Sequence, residues 1–299
     1  MAQINANRLA IEYEDHGNRD DPVILLVMGF SWQLIHWPDE LVFGLVDCGF
    51  RVIRFDNRDA GLSEKIDTGG KINLGQTLAA LAAGDNPDVP YTLFDMADDT
   101  IGLLDALDIP QCHVVGLSMG GMIAQIVAAR HPDRVLTLTS IMSSSGSPGL
   151  PGPTEEVSRV LLSAPENPAD RESVIEHGMM LRRAIGGSAF PTPEPELRAI
   201  IEQTIDRSVY TPGVARQYVA IAASGARTAL LPGITVPSLV IHGSEDPLTP
   251  LPCGEDTAAL IPGAVLRIID GLGHEVPKAV MPQWVDMIVS HIGASSPSS

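Results

Sequence analysis

A chain of 299 residues, 44% apolar and 19% charged, has the composition of a globular protein and is long enough for one large domain or two ordinary ones. Its formal charge of −18, from 37 acidic against 19 basic residues, opposes binding to nucleic-acid phosphates and to anionic membranes. The first residues include Arg8, Glu12, Glu14 and Asp15 and lack the apolar centre of a secretory signal, and no apolar run nears the roughly 18 residues of a spanning helix, so a cytoplasmic protein is expected.

In chain order, the alternating stretch 8–13 predicts an antiparallel edge strand. Short β-branched and leucine-rich runs follow at 23–27, 51–55, 113–115, 135–141, 238–241 and 265–269, each patterned as a buried parallel strand. Helical patterns intervene at 38–48, 94–107, 119–131 and 279–292. This alternation predicts an α/β fold with a mostly parallel central sheet flanked by helices. The segment 64–90, rich in glycine and proline, predicts one short helix within a long loop.

The alternation lapses between Ser143 and Gly233. Breakers crowd 143–153, Asn167-Pro168 and Thr211-Pro212 read as helix starts, and Ile200, Ile201 and Ile205 keep helical spacing. The expected organisation is a core of residues 1–142 and 234–299, with a helical cap at 143–233 inserted between two strands and roofing the strand ends. The tail 294–299 is expected to be disordered. Cys48, Cys112 and Cys253, scattered and odd in number, predict buried thiols and no zinc site or disulfide frame.

Gly116-Leu117-Ser118-Met119-Gly120 sits between a strand pattern and a helix pattern, the context a nucleophile elbow requires. A serine hydroxyl needs a base to take its proton. Of eight histidines, His274 lies in a glycine-rich loop just after a strand, whereas His113 and His242 fall within strands and His131 and His291 within or at the ends of helices. The base in turn needs an acid to orient it. Asp246, in the turn after the strand ending at His242, is the candidate, with Glu245 as its rival. The oxyanion donors are expected to be the backbone N–H of Met119, at a helix start, and of Phe30, in the loop Val27-Met28-Gly29-Phe30-Ser31. Met28, Trp32, Leu34, Met179, Met180 and Phe190 are candidate pocket residues, equally readable as packing. The polar stretch Asp56 to Ser63 suggests a loop that bridges within itself.

These features resemble the α/β-hydrolase superfamily over nearly the whole chain outside the cap. Val27-Met28-Gly29, Trp37-Pro38-Asp39-Glu40 and the Ser118 motif are similar to the branch containing aclacinomycin methylesterases, which cleave a methyl ester from a polyketide. Met28 stands where that superfamily usually carries a histidine. The resemblance implies a serine esterase with the order Ser118, Asp246, His274, acting without metal or organic cofactor on a small, largely apolar ester. The same triad would serve carbon–carbon bond hydrolysis or perhydrolysis, and a non-catalytic ligand receptor is the alternative of a different class.

Overall fold

The computed structural model describes residues 1–66, 72–161 and 163–295. Eight strands form one sheet: β1 (Ala2–Ala6), β2 (Leu9–His16), β3 (Val23–Val27), β4 (Arg51–Phe55), β5 (Cys112–Leu117), β6 (Val135–Ile141), β7 (Ser238–Gly243) and β8 (Val265–Ile269). Their order is β1-β2-β4-β3-β5-β6-β7-β8, antiparallel where β2 meets β1 and β4 and parallel elsewhere. The parallel strands in the middle of the sheet are buried on both faces because crossover helices cover them, which is why β3 reads Val-Ile-Leu-Leu-Val without alternation.

One face carries α3 (Leu93–Ala106) and α4 (Met119–Arg130), packed over Leu25, Val27 and Val114, with Leu260 of α9 (Leu251–Leu260) against the same layer. The other carries α1 (Asp39–Asp47) and α10 (Met281–Ser295), where Trp37 and Trp284 anchor the packing against Ile24, Leu26 and Val115. At an order of 1.5–3 kcal/mol per large buried apolar side chain, these two layers supply the main driving force for folding. Between β6 and β7 run four consecutive helices, α5 (Glu155–Leu161), α6 (Arg171–Ile185), α7 (Glu194–Arg207) and α8 (Thr211–Ser224), an insert that fits a cap. Its small apolar centre joins Ile175 and Met179 of α6 to Leu197 and Ile201 of α7, with Ile205 against them.

Several expectations need correction. The strand starting near residue 8 is not at the edge: β1 pairs outside it, its Ile4 and Ala6 turned toward the layer of α3. The real second edge is β8, where Val265 and Ile268 are exposed because no further strand pairs beyond it. Cys48 is exposed, since it caps the solvent end of α1, while Cys112 and Cys253 are buried. Asn167 opens a turn, and α6 starts later, where Asp170 accepts N–H bonds from Glu172 and Ser173. The short helix of the 64–90 region is α2 (Leu74–Ala82), capped by Asn73. Gly69, Gly70 and the tail 296–299 lie outside the described residues, and Ala294 and Ser295 belong to α10.

His113 on β5 is buried beside Thr137, its Nδ1 2.9 Å from the hydroxyl. Burial, with His291 adding, pushes its pKa down to about 4. The unfolded chain therefore binds a proton that the native state refuses between roughly pH 6.5 and 4, so this group's contribution is full above 6.5 and is lost as pH falls. In urea melts, His113→Gln should flatten the fall of stability across that window by up to one proton. An unaltered slope would contradict the assignment.

Candidate active site

Strand β5 ends at Leu117 and α4 begins at Met119, so the chain reverses through Ser118 alone. Ser118 has φ 53° and ψ −117°, a conformation costing a non-glycine residue on the order of 1–3 kcal/mol. Three bonds hold it: the Ser118 N–H donates to the Ile141 carbonyl (2.8 Å), and its own carbonyl accepts from the Met122 N–H (3.1 Å) and the Ser143 hydroxyl (2.8 Å). Gly116 and Gly120 allow the closure. A Cβ at Gly116 would fall 2.2 Å from the Gly120 carbonyl oxygen, and one at Gly120 would fall 2.0 Å from that of Val27.

The turn leaves the Ser118 side chain half-buried, with Oγ 3.0 Å from Nε2 of His274. His274 Nδ1 lies 2.7 Å from Oδ2 of Asp246. A carboxylate only accepts, so Nδ1 carries the proton and Nε2 is left free to accept from the serine. The other Asp246 oxygen takes the backbone N–H groups of Leu248 (2.9 Å) and Thr249 (2.7 Å), which fixes the carboxylate plane. Glu245 points elsewhere: it is exposed and accepts the N–H and hydroxyl of Ser188. The loop bearing His274 is held by its backbone, whose N–H donates to the Ile185 carbonyl at the end of α6 (2.7 Å).

Opposite the elbow, the loop after β3 passes so closely that a Cβ on Gly29 would lie 3.3 Å from the Ser118 Cβ. No protein acceptor among the described residues takes the Phe30 or Met119 N–H. Asn57 donates to the Met28 carbonyl (2.8 Å), and the buried Gln217 of α8 accepts the Ser31 N–H (2.8 Å) while donating to the Arg58 carbonyl (2.8 Å). Gln217 and Asn57 were not singled out in the sequence, where nothing local marks a glutamine 186 residues from its partner.

A family model described as the alpha/beta hydrolase fold matches residues 22–277. The chain belongs to the α/β-hydrolase fold family. Two rhodomycin D methylesterases, from Streptomyces sp. (strain C5) and Streptomyces peucetius, are each 28% identical to it over 98% of both chains. The crystal structure of the enol-lactonase from Burkholderia xenovorans LB400 superposes with a TM-score of 0.74 at 24% identity, covering 98% of this chain and 100% of that one.

In this hydrolase the helical insert is tied to the core by buried charge. Arg216 of α8 grips Asp59 through two bonds (2.7 and 2.8 Å), and Asp59 also accepts the Tyr91 hydroxyl (2.7 Å). Arg207 of α7 pairs with the fully buried Asp56 at 2.7 Å, which also accepts the Leu34 and Leu62 N–H groups. Arg58 meets Asp99 of α3. The Asp56–Ser63 loop thus bridges to the insert and to α3 as well as within itself.

The candidate pocket residues scatter. Met28 and Leu34 are fully buried, Met28 against Trp37 and the α1/α10 layer, and Met179 belongs to the small centre of the insert. Met180 is 37% exposed, and Phe190 packs half-buried on the core. Trp32 lines a cavity of about 600 Å³ beside the site, together with His36, Arg182, Gly186, Gly187 and Val276; neither Ser118 nor His274 lines it. Among the described residues no cluster of His, Cys, Asp or Glu is arranged to hold a metal, and no helix is long and apolar enough to cross a membrane.

Replacing Gln217 with Met strips the Ser31 N–H and the Arg58 carbonyl of their partner inside the protein. We expect a loss of about 1–3 kcal/mol in stability and about tenfold or more in kcat, with KM changing little. Steady-state kinetics on the folded variant checks this; a lowered affinity with kcat intact would remove Gln217 from the support of the loop after β3.

Proposed function

We propose that the hydrolase cleaves a carboxylic ester through an acyl-enzyme intermediate on Ser118, with residues 143–233 acting as the cap over the site. Oγ attacks the ester carbonyl as its proton passes to Nε2 of His274, and Asp246 stabilises the resulting imidazolium. The Phe30 and Met119 N–H groups receive the oxyanion, Met119 with the added field of the α4 N-terminus. The C–O bond to the alcohol breaks and the alcohol leaves with the proton held by His274. Water, deprotonated by the same ring, then attacks the acyl carbonyl and releases the acid and Ser118.

The observation carrying this reading is the unbroken relay of 3.0 Å and 2.7 Å from a hydroxyl through an imidazole to a carboxylate, beside two N–H groups without protein acceptors among the described residues. The two methylesterase relatives, aligned over 98% of the chain, support an ester as the substrate. The substrate is a small molecule, in keeping with the rhodomycin D methylesterase relatives.

A fluorophosphonate should label Ser118, and a panel of acyl and alkyl esters should be turned over by the wild-type protein. Ser118→Ala should lower kcat by about a thousandfold or more, and adding His274→Ala should cost little further, because the pair acts as a unit. Circular dichroism verifies that the variants fold. Turnover of diketones instead of esters would replace this reading with carbon–carbon hydrolysis, and saturable ligand binding without any turnover would make the protein a receptor.

A further inference from the structure

The cavity beside the relay has an unusual distribution of charge. Four basic side chains line it: Arg54, Arg182, Arg183 and Lys278. Arg54 is committed to Glu14 (2.7 Å), Asp39 (3.0 Å) and the Trp37 carbonyl, Arg183 to Glu194, and Lys278 to Glu40 (3.2 Å). Arg182 has no such commitment. Among the described residues no carboxylate lies within ion-pair distance of it and no acceptor takes any of its N–H groups.

What Arg182 does touch is the face of Trp32, with the guanidinium carbon 3.5 Å from the ring centroid. Stacking occupies the flat face of a guanidinium and leaves its donors, which lie in its plane, directed outward. Trp32 in turn lies against His36, ring centroids 5.1 Å apart. Burial, with the charges of Arg182 and Arg207 adding, pushes the His36 pKa far below the ordinary value, so that ring is neutral and brings no second cation. Burial likewise pushes Arg182 down to about 9, with no nearby acid to offset it. A guanidinium that lines a cavity with its in-plane donors taken by no protein acceptor among the described residues is matched by an anion that can take them.

The rest of the wall restricts the anion. Ile35, Pro38, Pro191, Leu197, Ile200 and Val276 are apolar; Glu14, Asp39, Glu40 and Glu194 line it too but are engaged by Arg54, Lys278 and Arg183, and Glu275, which receives the Gly187 N–H at 2.8 Å, would repel a multiply charged group. One planar carboxylate on an apolar chain matches a guanidinium fork in such walls. The cavity also begins close to the proposed chemistry: Trp32 stands two residues from Phe30 and Val276 two residues from His274, so each is within roughly 7 Å of chain.

We propose that Arg182, stacked on Trp32, binds a free carboxylate of the substrate, so that the hydrolase acts on esters whose apolar chain ends in a second, ionised carboxyl group. This rests on the ester reading above and deepens it. The carboxylate takes two parallel N–H bonds from the guanidinium edge, and the chain runs back past Trp32 to bring the ester carbonyl to Ser118.

The test pairs binding with turnover. In calorimetry, the Ser118→Ala protein should bind suberate saturably, and Ser118→Ala/Arg182→Met should bind it at least tenfold more weakly. In kinetics, monomethyl and dimethyl esters of the C4 to C10 straight-chain dicarboxylic acids are compared. The wild type should favour the monomethyl ester of at least one chain length by tenfold or more in kcat/KM, mainly through KM. Arg182→Met should collapse that ratio to within about twofold, and Arg182→Lys, which keeps the charge but loses the fork, should retain an intermediate ratio. No preference for the half-ester at any length, or a preference that survives in both Arg182 variants, would overturn the proposal. Suberate binding that depends on Arg182 in a protein that hydrolyses no ester would sustain the anion site and defeat the ester reading instead.

Discussion

The backbone of Ser118 is the constraint on which the site depends. A residue with a side chain is held at positive φ because β5 lies between β3 and β6 in the middle of the sheet, and α4 is pressed so tightly onto the β3 strand end that residue 120 has room only for hydrogen. Three hydrogen bonds of about 1 kcal/mol each are comparable with the cost of the strain. The turn cannot relax without displacing the centre of the sheet. That rigidity is what keeps Oγ raised above the strand ends and the Met119 N–H beside it.

The sheet sets a harder problem for the histidine. His274 follows β8, three strands from β5, and at about 4.8 Å per strand its loop must return across roughly 14 Å of sheet edge. The strand alone does not determine where such a loop stops. Its position comes from contacts on both sides: the Glu245 N–H binds the Leu272 carbonyl from the core, and the Ile185 carbonyl binds the His274 N–H from the insert. Glu275 adds the Gly187 N–H of the segment following α6. The insert is thus part of the scaffold that holds His274, and its own seating on Asp56 and Asp59 bears on the geometry there. Buried ion pairs of this kind contribute little net stability compared with apolar contacts, but removing one partner costs several kcal/mol, so they define position sharply.

This division explains what the sequence made legible. The elbow could be read because glycines at 116 and 120 answer a local steric demand, and Asp246 and His274 because each sits just beyond a strand with its own pattern. The same local signals misjudged the edges: nothing in Val265–Ile269 tells that no further strand pairs with it, and the short polar run Ala2–Ala6 pairs only because β2 offers a free side. Partners chosen by the docking of the insert, such as Arg216 with Asp59 across 157 residues and Gln217 with Ser31, have no periodicity to betray them. Apolar residues are equally silent. Met28, Leu34 and Met179 have the same composition whether they pack a core or line a pocket, and only the fold shows all three buried, Met28 and Met179 within apolar clusters.

Charge explains why Arg182 stands out in this chain. With 37 acidic residues against 19 basic ones, a solvent-facing cation rarely lacks a carboxylate nearby, and Arg171, Arg183 and Arg198 on the same insert each pair with one. Arg182 lies among them in sequence but turns its guanidinium onto an indole, with no carboxylate within ion-pair distance among the described residues. The overall negative field slows the approach of an anion, yet beyond about 8 Å it is screened at physiological salt. Inside the cavity close charges dominate, and there Arg182 is the basic side chain with no acidic partner among the described residues. An acidic surface therefore coexists with one guanidinium, Arg182, whose donors no protein acceptor among the described residues takes, and that is where the proposed carboxylate would gain most.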